Sequence, residues 1–455
     1  MSNVSKQEER YKRITEAKIY PLLWRMALPS MTGMIVSSVY SITDTFFIGR
    51  LDRTELTASI GVVFSFISII QAIGFWFGYG SGNYISRQLG KKNEKEAEVM
   101  ASTGLVLSVV VGVIILLGGL IFLEPLVLLL GGGISDGLME ATVSYLRITL
   151  ISVPFMLAAN VLYNELRLQG SARDSMLGLM VGMLLNMLLD PILILVFDMG
   201  VAGAALASLI GQVCGFFLLW YFTGRNGNVS INIRNSKFDF CHLKEILTGG
   251  APNFCRQGIS SISTVLVNLA AGGFGESAIA GVTVALRILA MGYALVIGFG
   301  QGFQPICAIN YGAGKYCRIK KAFRDALVTV TSFLIIAAIM IVFKADSLLS
   351  LFSSEDAVRE IGTSILKAQC TVLPFMGYYI LIGMLLQNIG HFGAATLVTI
   401  AENGTFLIPA VLILPLLFGF DGLIWCKPVA SVCAFLFSLV VGTRAWRKYL
   451  NEKEF

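Results

Sequence analysis

The chain has 455 residues, of which 56% are hydrophobic and only 14% charged, with a formal net charge of +6. With a mean hydropathy of +0.77, so few charges cannot cover the surface of a soluble globular protein of this size, which predicts an integral membrane protein. The eight cysteines and two histidines show neither a CxxC pair nor histidines at ligand spacing, so we expect no zinc or redox site and no cofactor.

Twelve apolar runs are each long enough to cross the roughly 30 Å of hydrocarbon in a bilayer. They lie at 20–48, 56–86, 98–123, 141–167, 174–197, 201–223, 246–272, 277–311, 319–343, 358–389, 393–417 and 421–446. The first run is too long for a signal peptide and no small-residue cleavage site follows it, so we expect no removable targeting segment. The sequence thus predicts an all-α integral membrane protein with twelve transmembrane helices.

Lysine and arginine residues are concentrated in alternate loops. With the N-terminus in the cytoplasm, the basic residues on that side are Arg87, Lys91, Lys92, Lys95, Arg225, Arg234, Lys237, Lys244, Lys315, Arg318, Lys320, Lys321, Arg324, Arg444, Arg447 and Lys448. The opposite loops carry only four, Arg50, Arg53, Lys344 and Arg359. Because basic loops stay in the cytoplasm, we predict a multi-pass protein of the inner (cytoplasmic) membrane with both termini cytoplasmic.

The chain repeats itself at an offset near 220 residues. SYLRITLISVPFM (144–156) matches SILKAQCTVLPFM (364–376), and GYGSG (78–82) matches GFGQG (298–302). An offset of six helices gives both copies the same membrane orientation, which favours two pseudo-symmetric six-helix lobes around a central cavity. The predicted segments are a cytoplasmic N-terminal segment at 1–19, an N-lobe at 20–223, a cytoplasmic linker at 224–245, a C-lobe at 246–447 and a cytoplasmic tail at 448–455.

The first span carries a polar stripe that ends in an acid. Polar and small residues recur at spacings of three and four, so they share one helix face: Ser30, Gly33, Ser37, Tyr40, Ser41 and Asp44. A carboxylate inside a bilayer costs roughly 2.5–3.5 kcal/mol on insertion scales, which makes Asp44 a functional candidate. Since Asp44 lies six residues before Arg50, the alternative is an interfacial residue that reaches water.

A second acid lies in the fifth span. Asn186 and Asp190 are four residues apart on one helix face, and the sixth span offers Ser208. Together with Asp44, these groups would supply hard oxygen donors for a proton or a monovalent cation such as Na⁺, whereas a divalent site would more often recruit further carboxylates or water. Pro191 directly follows Asp190, and we expect it to bend its helix as Pro29 bends the first.

The second lobe keeps the polarity of this stripe but not its acid. The seventh span carries Gln257 and Asn268 on its polar face, so the pattern assigns ion chemistry to the N-lobe. Glu402 is the intramembrane acid of the C-lobe, and we expect it to form a structural ion pair with Arg287 or Lys367.

These motifs resemble those of the multidrug and toxic compound extrusion (MATE) transporters, in particular the bacterial MepA-like and DinF-like branch. The matching residues are Pro29, Tyr40, Asp44 and Gly49; Asn186, Asp190 and Pro191; the GAALAS segment from Gly203 to Ser208; and QPI…NYGAG from Gln304 to Gly314. The likeness covers residues 18–447. One departure is Gln257, since the NorM-type branch has a glutamate in the seventh helix, and this argues against a cation site there.

The resemblance implies a monomeric secondary transporter, not an enzyme, that exports drugs or toxic metabolites in exchange for H⁺, Na⁺ or both. The compounds would be amphipathic and often cationic or aromatic. It implies an ion-coupling role for Asp44, Asp190, Asn186 and Ser208, and we add Tyr40 as their neighbour. As monovalent-cation ligands we expect Asp44, Asn186 and Asp190.

Aromatic, methionine and polar side chains are the candidates for the drug cavity, since they offer adaptable surface to varied ligands. They are Met34, Ser37, Tyr40, Met156, Tyr163, Met183, Gln257, Asn268, Met376, Tyr378 and Tyr379. The nearest alternative function is a lipid-linked precursor flippase of the same superfamily, although such proteins tend to have fourteen helices and a basic cavity. An intramembrane enzyme would need motifs such as DDxxD or HExxH, which the sequence lacks, and nothing in it points to nucleic acid.

Overall fold

The structure, a computed structural model, describes residues 3–49, 54–352 and 355–451; at residues 4, 40–49, 54, 195, 450 and 451 it describes the backbone alone. Within these ranges every regular element is helical. The helices are α1 (Asn3–Glu16), α2 (Ile19–Gly49), α3 (Thr54–Gly90), α4 (Glu94–Ile121), α5 (Leu123–Leu129), α6 (Asp136–Leu168), α7 (Ala172–Pro191), α8 (Gly200–Phe222), α9 (Phe240–Gly272), α10 (Glu276–Gly312), α11 (Tyr316–Ser350), α12 (Asp356–Cys370), α13 (Leu373–Asn388), α14 (Phe392–Ile400) and α15 (Leu407–Trp446). Wider π-helical turns occupy Ile192–Val196, Ala401–Phe406 and Arg447–Asn451, and a 3₁₀ turn lies at Ile233–Asn235.

Eight helices in the described part of the chain are long and apolar enough to cross a membrane, or nine when the bent pair α12 and α13 counts as one span. The difference from the twelve predicted spans has identifiable sources. The first and seventh predicted spans correspond to α2 and α9, which carry the polar stripes and are not among the eight. The predicted eleventh and twelfth spans fall together in one stretch, Phe392–Tyr449.

That stretch reverses at Gly419, whose φ of 59° and ψ of −135° are not helical. The reversal brings the chain back on itself, because a Cβ added to Gly422 would lie 2.1 Å from the carbonyl oxygen of Leu414. In a straight helix these two residues would be about 12 Å apart. Glycine can adopt the positive φ at no steric cost, so the two predicted spans are joined by a tight turn.

The chain forms two compact units. Unit 1 consists of Met1–Glu16 and Thr32–Gly250, and unit 2 of Ala17–Met31 and Ala251–Phe455. In unit 1, α6 packs against α3, α4, α7 and α8, and in unit 2, α10 packs against α11, α12 and α13. In the core of unit 1, Leu146, Leu150 and Leu157 are fully buried.

The start of α2 belongs to unit 2 and the start of α9 belongs to unit 1. The two repeated glycine motifs receive these segments. A Cβ on Gly80, in GYGSG, would lie 2.0 Å from the carbonyl oxygen of Ile246, and one on Gly302, in GFGQG, would lie 2.4 Å from Cα of Ala27. Lipid tails give no hydrophobic drive for helix association, so close backbone packing at small residues holds such contacts.

Helix α1 binds the segment that follows α8. Arg10, which is 9% exposed, donates from Nη1 to Oδ1 of Asn228 at 2.7 Å and from Nη2 to the hydroxyl of Ser171 at 3.4 Å. Burial lowers the pKa of Arg10 to about 10, and the nearby carboxylate of Asp174 opposes this shift. Asp174 in turn accepts hydrogen bonds from Ser171 and Asn228, so a buried polar network ties α1, α7 and the linker together.

Candidate functional site in unit 1

Helices α7 and α8 approach each other through glycines. On α7, Gly178, Gly182, Asn186 and Asp190 recur every four residues and so lie on one face. A Cβ on Gly182 would lie 2.8 Å from the carbonyl oxygen of Gly211 on α8, and one on Gly211 would lie 2.6 Å from that of Gly182. The two backbones are therefore in contact, and this brings the next polar residue of α7 within reach of α8.

Asn186 is that residue, and it connects both predicted partners. With its amide nitrogen towards Asp190, it donates to Oδ2 of Asp190 at 3.1 Å, and its oxygen accepts from the backbone N–H of Ser208 at 2.9 Å and from its hydroxyl at 3.1 Å. Asn186 is 2% and Asp190 0% exposed. The structure thus places three of the predicted coupling residues in one buried cluster, which contains a carboxylate, an amide and a hydroxyl.

The helix changes its hydrogen-bond pattern directly after this carboxylate. Pro191 ends α7 and is followed by the π-helical turn Ile192–Val196. Proline has no N–H and clashes with the carbonyl one turn earlier, and π-helical turns are frequent at functional sites. Pro29, by contrast, lies inside the uninterrupted helix α2.

A small cavity of about 70 Å³ adjoins the cluster between α6, α7 and α8. Its polar lining consists of Asn160, Asn186, Ser208 and Gln212, and Met183 borders it. Since one water occupies about 30 Å³ in the liquid, the cavity has room for a few waters or a small cation. It is too small for a drug-sized ligand, whose sites measure about 300–1,000 Å³.

Sequence reasoning missed Asn160 and Gln212. The signal for Gln212 was present, because it follows Ser208 by four residues on the same face of α8. Asn160 is a polar residue in the otherwise apolar run FMLAANVLY of α6, but which helix it faces depends on tertiary packing.

The side chains of Asp44 and Tyr40 lie outside the described residues. Before them, the stripe on α2 faces α7, because a Cβ added to Gly33 would lie 3.9 Å from Leu179 and 4.0 Å from Met176. Met34 and Ser37 are half-buried, and the hydroxyl of Ser38 donates to the carbonyl of Met34 at 3.0 Å.

The other candidates for a drug cavity are dispersed. Met156 and Tyr163 are buried in apolar core clusters of unit 1. In unit 2, Gln257 is exposed and Asn268 half-buried, while Tyr378 packs edge-on against Phe323 and Phe435. Met376 borders a second cavity, and Tyr379 is 5% exposed.

The partner of Glu402 differs from the expected one. Among the residues that the structure describes, the hydroxyl of Ser431 donates to Oε1 of Glu402 at 3.0 Å, and the phenol of Tyr379 also interacts with this carboxyl group. The cations on the wall of the adjoining cavity are Arg256 and Lys427. The expected ion pair with Arg287 or Lys367 is therefore wrong, because the carboxylate of Glu402 is bonded to a neutral hydroxyl instead.

The sequence matches a known protein family. A family model described as MatE matches residues 29–192 and 252–412. The multidrug export protein MepA of Staphylococcus haemolyticus is 30% identical over 437 residues, which cover 96% of this chain and 96% of that protein. MepA of Staphylococcus aureus strain MRSA252 is 29% identical over the same shares.

Solved structures show the same fold. A multidrug resistance MATE family transporter in an outward-facing conformation is 24% identical, with a TM-score of 0.88 over 95% of this chain and 97% of that one. A transporter of the MOP superfamily from Pyrococcus furiosus, also 24% identical, has a TM-score of 0.85 over 96% of this chain and 98% of that one. The predicted fold class, an all-α membrane protein with the MATE arrangement of twelve spans in two lobes, is confirmed. The chain therefore belongs to the MatE family of membrane transporters.

Proposed function

We propose that this protein is a secondary multidrug exporter of the cytoplasmic membrane, which expels amphipathic, often cationic or aromatic compounds in exchange for H⁺ or Na⁺. Similarity to the MepA multidrug export proteins over 96% of the chain supports export of such compounds. The basic loops support an orientation with both termini in the cytoplasm, and we propose that the protein acts as a monomer.

The observation that carries the coupling proposal is the buried cluster of Asn186, Asp190 and Ser208 beside a small cavity. A carboxylate that is 0% exposed is stabilised when it binds a proton or a cation, because a buried charge is costly. Asp44 would complete the site, since its stripe faces α7 at Gly33.

The free energy that the ion releases when it crosses the membrane would drive export. One positive charge that moves inwards across about 100 mV releases roughly 2.3 kcal/mol, before any concentration gradient. If the ion binds the cluster more tightly in one conformation than in the other, it shifts the balance between the conformations by that difference. Ion entry reduces the negative charge that Asp190 and Asp44 share, and the change in charge, together with movement next to Pro191, displaces the drug.

The test is drug efflux from proteoliposomes with an imposed pH or Na⁺ gradient, using ethidium as the cargo. We expect Asp190→Asn, which keeps the hydrogen bond from Asn186 but not the charge, to lower gradient-driven efflux at least about tenfold, since each 1.4 kcal/mol of lost coupling corresponds to tenfold. Efflux with each gradient alone identifies the ion.

The matched control is Asp198→Asn, the same change at an exposed residue beyond the π-helical turn. Its positive φ of 51° suits asparagine as well as aspartate, so we expect wild-type efflux. Full gradient-driven efflux by Asp190→Asn would refute the coupling site, while export itself would stand.

A further inference from the structure

Unit 2 contains a larger cavity than the one beside Asp190. It measures about 250 Å³ and is bordered by α9, α10, α12, α13, α15 and the π-helical turn Ala401–Phe406. Its apolar lining includes Val267, Leu286, Leu289, Met376 and Leu407. This volume lies just below the range of drug-sized sites, so it suits a smaller molecule, and a mostly apolar lining with a few polar groups is the composition of a small-molecule site.

The acid of this cavity is held in place by the fold. Glu402 is 7% exposed, lies on the π-helical turn and accepts a hydrogen bond from Ser431 at 3.0 Å. Such turns are frequent at functional sites because they turn a side chain out of the regular helical register. A carboxylate inside a membrane protein is costly and usually serves a ligand or an ion.

Two cations share the cavity wall with this acid. Arg256 on α9 donates from Nη1 to the hydroxyl of Tyr293 at 3.3 Å, and Lys427 on α15 also lines the cavity. Gln369 and Asn403 add neutral hydrogen-bonding groups. The wall thus presents both signs of charge around an apolar interior, with one more positive than negative side chain.

We propose that this cavity binds a small aromatic molecule that carries both an ammonium and a carboxylate group. The ammonium pairs with Glu402, the carboxylate with Lys427 or Arg256, and the ring packs against the apolar wall beside Met376. A purely cationic ligand would meet two like charges, and a purely anionic ligand would offer no positive charge to Glu402; both arrangements are penalised when charges are desolvated. That the molecule is exported cargo rests on the proposed function, whereas its binding does not.

The experiment measures binding to the purified protein in nanodiscs, with no ion gradient, by scintillation proximity with three tritiated probes. They are L-tryptophan, which is zwitterionic, L-tryptophanamide, which is cationic, and N-acetyl-L-tryptophan, which is anionic. We expect saturable binding of tryptophan at least about tenfold tighter than that of either single-charge probe, the equivalent of one well-placed charge pair.

Two variants separate the charges. Glu402→Gln keeps the size of the side chain and an oxygen for Ser431, and should weaken tryptophan and tryptophanamide binding about tenfold while N-acetyltryptophan binding is kept. Lys427→Met should weaken tryptophan and N-acetyltryptophan but not tryptophanamide. Retained binding of the unaffected probe shows in each case that the variant is folded.

Glu360→Gln serves as the matched control, since Glu360 is exposed on α12 and should leave all three affinities unchanged. Equal affinities of the three probes for the wild type, no saturable binding of tryptophan, or unchanged tryptophan binding by Glu402→Gln would each overturn the proposal. None of these results bears on ion-driven efflux, which depends on Asp190 in unit 1.

Discussion

At the scale of single residues, charged contacts fix the linker that leads into α9. Asp239 accepts a hydrogen bond from the backbone N–H of His242 at 3.0 Å and contacts its ring, and the other ring nitrogen lies 2.9 Å from Oε1 of Glu96 on α4. The hydrogen bond from the backbone of His242, followed by that from its ring, lowers the pKa of Asp239. The ionised carboxylate of Asp239 thus holds His242, at the start of α9, in contact with Glu96 on α4.

We expect this docking to be lost in acid. Because the pKa of Asp239 is lower when the linker is docked than when it is free, the contribution is complete above the free value of about 3.9 and disappears as the pH falls through the docked value. A spin label on Phe238→Cys, with Cys241 and Cys317 replaced by serine, should be immobile near neutral pH and mobile below about pH 4.

Asp239→Ala supplies the control, because a label next to alanine should be mobile already at neutral pH. A transition of the same size in Asp239→Ala would assign the effect to Glu96 instead.

At the scale of helices, the spacing of residues in the sequence predicted part of the candidate site. The four-residue spacing of Asn186 and Asp190 is a local property of one helix, and the structure shows both on the face that contacts Ser208. The partner of Glu402 was not predictable, since Ser431 comes from a part of the chain beyond the reversal at Gly419. The spacing of residues in the sequence predicts which side chains share a helix face, but which helix that face contacts depends on tertiary packing.

The contact between α7 and α8 depends on glycine, so we expect Gly211→Ala to destabilise the protein. The added Cβ would lie 2.6 Å from the carbonyl oxygen of Gly182 and 3.2 Å from Cβ of Asn186. Overpacking of this kind costs about 1–3 kcal/mol, which exceeds the roughly 0.5–1 kcal/mol that alanine gains over glycine inside a helix. The measurement is the thermal transition of detergent-purified protein, followed by fluorescence-detected gel filtration.

Gly118→Ala on α4 is the comparison, because a Cβ there meets nothing within 4 Å. It should leave the transition temperature unchanged or raise it. If Gly211→Ala behaved in the same way, the backbones of α7 and α8 would not be in contact.

At the scale of the whole molecule, the first segment of each sequence repeat packs in the unit that contains most of the other repeat. Residues Ala17–Met31 at the start of α2 pack in unit 2, and the start of α9 up to Gly250 packs in unit 1. The repeats were predictable from matching sequence, whereas this exchange was not, because nothing in the apolar pattern of α2 or α9 states which helix each end contacts. The repeated motifs GYGSG and GFGQG acquire a structural reason, since their glycines receive the exchanged segments.

The exchange makes the start of α9 sensitive to a single methyl group. A Cβ on Gly250 would lie 1.8 Å from the carbonyl oxygen of Trp76 and 2.6 Å from Cδ1 of its ring, and Nε1 of Trp76 donates to the carbonyl of Leu247 at 2.7 Å. We therefore expect Gly250→Ala to push α9 away from α3, break this hydrogen bond and lower the transition temperature, at a cost of about 1–3 kcal/mol.

Gly258→Ala is the control variant. Gly258 is on the same helix, but a Cβ added there would meet nothing within 4 Å, so this variant should be as stable as the wild type. The stability of the two variants is compared by thermal unfolding. The fluorescence of Trp76 in each variant is obtained as the difference between its tryptophan emission and that of the same variant carrying Trp76→Phe. Equal stability and an equal Trp76 contribution in both would mean that α9 does not begin against α3, and the exchange of segments between the units would then have to be abandoned.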